Sequence, residues 1–242
     1  MNRVPITEIF TSLQGEGPYV GMPQVFVRFA GCNIECRYCD TKEKSKVSAI
    51  KTGGSADGGK SQKSKINNIV RKVIGLSKKE GIDTVSLTGG EPLLYSEAVR
   101  EIARALRKKG FRILLETNGT LPEAFRSIKT EIDIVSMDIK LPSACGAGLW
   151  EKQRDFLRLA KTKDVYIKTV IEPDTPKREF IRALELVKKI DRKIPFILQP
   201  VTQTKKISHE VLRKCLQWYA LARKYLTNVR IIPQMHVLIG IK

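Results

Sequence analysis

Three cysteines fall within the stretch Cys32-Asn33-Ile34-Glu35-Cys36-Arg37-Tyr38-Cys39, directly after an apolar segment. Their C-x3-C-x2-C spacing lets three thiolates close on one metal centre. Three ligands are one short of a structural tetrahedral zinc site and one short of a cubane iron–sulfur cluster held wholly by protein. The fourth position is therefore filled from far along the chain, or left open to something that is not protein. An open iron is a place where a substrate or cofactor can bind.

The other polar groups with chemical capacity stand at the ends of apolar segments. They are Thr88-Gly89-Gly90-Glu91, Glu116-Thr117-Asn118, Ser136-Met137-Asp138-Ile139-Lys140, Lys168 and Gln199. One such end is ordinary turn composition. A succession of them beside a three-cysteine loop indicates a single polar pocket on the rim of a barrel-like fold. Gly89-Gly90 lets backbone approach a ligand closely. Gln14-Gly15-Glu16-Gly17-Pro18 is a structured turn in which Gln14 and Glu16 can hold a polar ligand. Arg28, four residues before Cys32, is either an edge or ion-paired arginine or a ligand contact.

The elements that position these residues alternate along the chain. Strands are expected at Val4–Ser12, Gln24–Ala30, Thr84–Leu87, Phe111–Leu115, Ile132–Met137, Val165–Ile171, Ile194–Leu198 and Val229–Ile232. Between them, helical spacing joins Ile66, Ile69, Val70, Val73 and Ile74, and then Ala98, Val99, Ile102, Ala103 and Leu106. Further helices are expected around Pro122–Ile128, across Leu149–Ala160, after an N-cap at Thr175-Pro176, and after Ser208. The last has an inner face of Val211, Leu212, Cys215, Leu216, Tyr219 and Ala222. Repeated βα units imply parallel strands with right-handed crossovers. About six strands in the repeat are too few for a closed eight-stranded barrel, so the fold class is α/β, a partial, open TIM-like barrel. One domain over 1–242 is expected, with a flexible insertion at about 43–64, where Lys, Ser and Gly leave no apolar residues to pack.

At 242 residues the chain can bury a substantial core. No apolar run approaches the roughly 18 residues that span a bilayer, and the first residues lack a signal-peptide core, so a cytoplasmic protein without membrane contact is expected. Five cysteines in a reducing compartment argue for metal or redox chemistry over disulfides. The net charge of +19 raises nucleic acid as a partner. The lysines are dispersed and not interleaved with aromatics, so a solvated basic surface is the expectation and no nucleic acid is expected.

A C-x3-C-x2-C loop with an aromatic before its last cysteine, followed by Gly89-Gly90-Glu91-Pro92 at a later strand end, resembles the radical S-adenosylmethionine superfamily. Glu8 to Gly17, Cys39-Asp40-Thr41, Glu116-Thr117-Asn118-Gly119-Thr120 and Gln234-Met235-His236 resemble its 7-carboxy-7-deazaguanine synthase family. The resemblance implies a 4Fe–4S cluster on Cys32, Cys36 and Cys39, with S-adenosylmethionine on the open iron and a 5′-deoxyadenosyl radical after reduction. It implies cofactor contacts at Tyr38, Cys39, Asp40, Gly89, Gly90, Glu91, Ser136, Lys140 and Gln199. The implied substrate is 6-carboxy-5,6,7,8-tetrahydropterin, which loses a hydrogen at C6, contracts its ring and releases ammonia. Leu13, Gln14, Gly15, Glu16, Arg28 and Thr88 are the implied substrate contacts, Arg28 being suited to a carboxylate. Magnesium is implied at Thr41, where one neutral hydroxyl needs substrate oxygens and water to complete an octahedral shell. A homodimer and an electron donor such as flavodoxin or ferredoxin are further implications.

Two departures from the family stand out. The Lys- and Gly-rich insertion follows Thr41, and Val237 stands after His236 where many relatives have Lys. His236 can be a packing residue and is given no catalytic role; Cys145 and Cys215 read as spectators. Two other functions compete. A radical activase would share the cysteine loop but act on a partner protein's glycine; the Gln14-Gly15-Glu16-Gly17 motif favours the pterin instead. A zinc-bearing RNA-binding module would need a fourth ligand from Cys145, Cys215, His209 or His236, none at finger-like spacing.

Overall fold

The computed structural model describes residues 3–39, 62–202 and 206–241. Asp40, Thr41 and the insertion up to residue 61 lie outside the described residues. β1 (Arg3–Leu13) and β2 (Pro23–Phe29) form an antiparallel hairpin around the Gln14–Gly17 turn, and β3 (Gln62–Lys65) pairs antiparallel with the start of β1. The end of the stretch expected to be a flexible insertion is therefore an edge strand. Pairing through backbone groups needs no apolar side chains, which is why its composition gave no sign of it.

From β3 onward the chain alternates. Helix α1 (Ile66–Glu80) leads to β4 (Thr84–Gly89), α2 (Ser96–Arg107) to β5 (Arg112–Thr117), and α3 (Pro122–Ile128) to β6 (Ile134–Asp138). The short α4 (Pro142–Cys145) and α5 (Trp150–Ala160) precede β7 (Asp164–Ile171), α6 (Lys177–Ile190) precedes β8 (Phe196–Pro200), and α7 (His209–Ala222) precedes β9 (Val229–Ile231) and the terminal α8 (Met235–Ile239). The strands lie in the order β3-β1-β2-β4-β5-β6-β7-β8-β9. From β2 to β9 every neighbour is parallel. Seven parallel strands thus replace the expected six or so, with two antiparallel strands added at one edge. Among the described residues β3 and β9 do not pair, so the barrel is open, as the repeat count implied.

Side chains alternate across each strand. Val85, Leu87, Ile113, Leu115, Val135, Met137, Ile167, Phe196 and Leu198 face outward into the main core beneath the helices. Leu114, Ile134, Tyr166 and Ile197 face inward and form a separate small cluster at the barrel floor. One layer further along each strand, the inward positions turn polar: Thr88, Glu116, Ser136, Lys168 and Gln199. The sequence rule that polar strand ends share one rim is thereby met.

Two local expectations are corrected. On α7 the packed face is Val211, Cys215, Trp218 and Ala222, whereas Leu212, Leu216 and Tyr219 are exposed. The apolar stripe of this helix is wider than the face the sheet can cover. Ser208 does cap α7, its hydroxyl accepting from Val211 N at 3.2 Å. Thr175 does not cap α6; its hydroxyl accepts from Glu172 N at 2.8 Å and shapes the preceding turn instead.

Candidate active site

The cysteine loop leaves β2 through Gly31, whose φ of 85° reverses the chain. Its base is stitched to the end of β4: Gly90 N donates to Phe29 O at 3.0 Å and Glu91 N to Gly31 O at 2.8 Å. A Cβ on Gly90 would lie 1.8 Å from Gly31 O, and one on Gly89 would lie 2.2 Å from Phe29 O. Both glycines are thus required by the approach of two strand ends, in addition to any ligand. The far side of the loop is held by Arg37, whose backbone N donates to Ala144 O at 2.9 Å. Its guanidinium forks onto Asp174 at 2.8 and 2.9 Å and reaches Glu172 at 3.0 Å.

Cys36 is buried, Cys39 half-buried and Cys32 exposed. Burial pushes the Cys36 thiol up to about 12 and raises Cys32 as well, so a thiolate here calls for a bound cation to offset its desolvation. Asn118 Nδ2 donates to Cys32 Sγ at 3.7 Å and to Asn33 Oδ1 at 2.9 Å. Glu91 fixes that asparagine from below. Its fully buried carboxylate accepts from Asn118 N at 2.8 Å, Thr117 Oγ1 at 2.9 Å and Leu93 N at 3.1 Å. Burial pushes Glu91 up to about 7, opposed by these donors and by Lys140.

Above the apolar floor lies a cavity of about 780 Å³ walled by the polar strand ends and the cysteine loop. At its centre Glu116 accepts from Thr88 Oγ1 at 2.8 Å, Gln14 Nε2 at 3.0 Å and Ser86 Oγ at 3.1 Å. Arg28 reaches the wall from β2, held by Glu8 at 2.8 Å and lying 5.6 Å from the Phe10 ring centre. Lys140 pairs with Asp138 at 2.7 Å and stands 5.0 Å over the Tyr38 ring. Burial disfavours the charged form of this lysine, but Asp138 outweighs it and holds the ammonium's pKa well above its ordinary value. Lys168 and Glu16 form a buried ion pair. Burial opposes Glu16 ionisation, yet Lys168 and Gln234 bring it down to about 2.

Of the residues singled out in the sequence, Leu13, Gln14, Gly15, Glu16, Arg28, Cys32, Cys36, Tyr38, Cys39, Thr88, Gly89, Gly90, Ser136, Lys140 and Gln199 share this cavity wall. Glu91 does not; it supports the loop from within the core. The wall also carries Glu116, Asp138, Lys168, Gln234 and His236. The first three were visible as strand ends without a role. The tail pair was read only within the motif Gln234-Met235-His236; its contact with the turn gave no local signal, because Gln234 meets Glu16 across 218 positions of chain.

Among the described residues no trio of His, Cys, Asp or Glu converges closely enough to hold a single ion. A cubane instead spreads its cysteines over separate irons, and the loop's three thiols, with N–H donors from Ile34 and Asn118 on Cys32, fit such a cluster. Gln199 Oε1 and Asp138 Oδ1 are buried on the wall without a hydrogen-bond partner among the described residues, as expected where a ligand supplies the donors.

An open parallel barrel with a three-cysteine loop at its rim defines a class, and the sequence matches it. Residues 26–196 match the Radical SAM superfamily, and the chain belongs to that superfamily. Its members work with a 4Fe–4S cluster and S-adenosylmethionine. The 7-carboxy-7-deazaguanine synthase of Geobacter sulfurreducens is 38% identical over 242 residues, covering 97% of this chain and 96% of that protein. The enzyme of the same name from Methanocaldococcus jannaschii is 35% identical, covering 97% and 99%. The chain is a member of the 7-carboxy-7-deazaguanine synthase family, an enzyme of the lyase class. The crystal structure of QueE from Escherichia coli shares the fold, with a TM-score of 0.64 at 22% identity over 97% of this chain and 95% of that one.

Proposed function

We propose that the enzyme converts 6-carboxy-5,6,7,8-tetrahydropterin to 7-carboxy-7-deazaguanine with release of ammonia. The observation that carries this reading is a cavity that places Arg28, Thr88, Gln14 and Glu116 on the same wall as Cys32, Cys36 and Cys39. A cluster on those cysteines with S-adenosylmethionine on its open iron supplies the hydrogen-abstracting radical chemistry. The chain's own residues bind and orient. Arg28, steadied by Glu8, suits the substrate carboxylate. Glu116, organised by Ser86, Thr88 and Gln14, is placed to accept N–H groups from a pterin edge. Lys140 and Lys168 are both held protonated, each by a carboxylate partner, Asp138 and Glu16. The apolar floor and the walled sides exclude water from the reacting centre.

Ser136, Lys140 and Gln199 are proposed contacts of the cofactor's ribose and carboxylate, and Tyr38 of its adenine. Magnesium, with Thr41 as a ligand, belongs to the same proposal and is supported by the family resemblance. So do a homodimeric state, a cytoplasmic setting and reduction by a flavodoxin or ferredoxin. The exposed side of Cys32 suits electron entry, and the lack of any disulfide among the described cysteines suits a reducing compartment.

The test is anaerobic reconstitution with iron and sulfide, then reductant, S-adenosylmethionine, magnesium and carboxytetrahydropterin, followed by mass spectrometry. 5′-Deoxyadenosine and deazaguanine product are expected from the wild type, and neither from Cys36→Ala. Cofactor cleavage without pterin conversion would reject the substrate and return the activase reading.

A further inference from the structure

The two margins of the open barrel meet without a strand pair beside the N-terminal end of β2, where Leu13 pairs with Pro23. The turn after β1 and the tail after β9 touch there. Met235 N donates to Gly15 O at 2.9 Å. A Cβ on Gly15 would fall 2.0 Å from His236 Nδ1, so the histidine ring lies directly on the turn. One carboxylate organises this junction. Glu16 Oε1 accepts from Gln234 Nε2 at 2.9 Å and from Gln199 Nε2 at 3.1 Å, and its other oxygen pairs with Lys168. The turn itself is locked by Glu16 N donating to Gln14 Oε1 at 3.1 Å. Three segments distant in sequence, β7, β8 and the tail, thus converge on the side chain of a fourth, the β1 turn.

We propose that Glu16 is a positioning residue: with Lys168, Gln199 and Gln234 it clasps the β1 turn to the C-terminal tail and closes the open side of the barrel beside the bound pterin. The role rests on the pterin reading of the cavity. In this proposal Glu16 acts on the substrate through the residues it holds, not by direct contact. Its effect is transmitted through Gln14 and Gly15 on one side and His236 on the other, all on the cavity wall. A buried ion pair in a low-dielectric setting makes such a clasp hard to open once formed. Loss of one partner leaves the other charge buried and uncompensated.

The test compares wild type with Glu16→Gln, Lys168→Met and Gln234→Leu, each reconstituted with its cluster. Hydrogen exchange reads the clasp without turnover: amides at residues 14–16 and 235–239 should lose protection together, by tenfold or more, in every variant. Iron content and the visible spectrum of the cluster should stay as in wild type. With pterin, the KM should rise at least tenfold while kcat changes less than threefold. The fraction of S-adenosylmethionine cleaved without product should also increase. Gln234→Leu leaves the buried ion pair intact and keeps the test open if Glu16→Gln does not fold. Unchanged tail exchange in Gln234→Leu, or a loss confined to kcat, overturns the proposal. If the wild type fails to convert the pterin, the function reading falls, while the exchange data still decide whether the clasp exists.

Discussion

Replacing Gly90 by alanine tests the claim that the cysteine loop is registered by the end of β4. The added Cβ would sit 1.8 Å from Gly31 O, 2.4 Å from Gly31 C and 3.1 Å from Cys32 N. These are backbone atoms, so no rotamer change relieves the clash. The strand end and the loop base must separate, and that stretches the bonds Gly90 N to Phe29 O and Glu91 N to Gly31 O. Two backbone hydrogen bonds contribute about 1 kcal/mol each, and overpacking adds roughly 1–3 kcal/mol. A loss of about 3–5 kcal/mol lowers the melting temperature of a domain this size by roughly 6–20 °C. Iron bound after reconstitution should fall in parallel, because the displaced backbone includes Cys32. Gly75→Ala is the matched control: nothing lies within 4 Å of its added Cβ, in the exposed interior of α1. The same chemical change there should raise stability by about 0.5–1 kcal/mol. Thermal unfolding by circular dichroism and iron analysis on both variants read the two effects. A Gly90→Ala protein that melts with the wild type and holds its iron would refute the reasoning.

Asn118→Ala removes one N–H donor from Cys32 Sγ, and spectroelectrochemistry of the reconstituted protein should show a lower cluster potential with stoichiometric iron retained. Trp218→Ala, on the packed face of α7, should cost about 3–5 kcal/mol by denaturant titration, whereas Leu216→Lys on its exposed face should stay within about 0.5 kcal/mol of wild type. Because the folded pKa of Glu16 is depressed from 4.5 to about 2, its contribution is complete above the unfolded value and drains away as pH falls from about 4.5 toward 2. Urea titrations should therefore show the gap between wild type and Glu16→Gln constant at neutral pH and shrinking through that acidic window; a gap that widens there contradicts the ion-pair account.

The period-two strands and their polar ends made the barrel and its rim readable, because both follow from the alternation of side chains on a pleated backbone. Three features were hidden for physical reasons. Glu91 follows two glycines at a strand end and looks like a cavity residue, yet Thr117 and Asn118 of the neighbouring strand draw its carboxylate into the core. The pairing of β3 depends on backbone groups that leave no trace in a Lys- and Ser-rich composition. The junction of Glu16 with Gln234 and His236 arises only when the sheet curls, since local spacing carries no information about residues brought together from opposite ends of the chain. On α7 the apolar stripe was legible, but its exposed portion is set by how much of the helix the sheet can cover.

The floor of the cavity has a consequence for what a ligand meets there. Leu114, Ile134, Tyr166 and Ile197 are each 0–1% exposed, and Tyr166 is overlain by the turn at Gly17, where an added Cβ would meet its ring at 2.3 Å. Among the described residues this end of the cavity is therefore closed by apolar side chains, so an occupant resting on it meets hydrocarbon below and the polar strand ends around its edge.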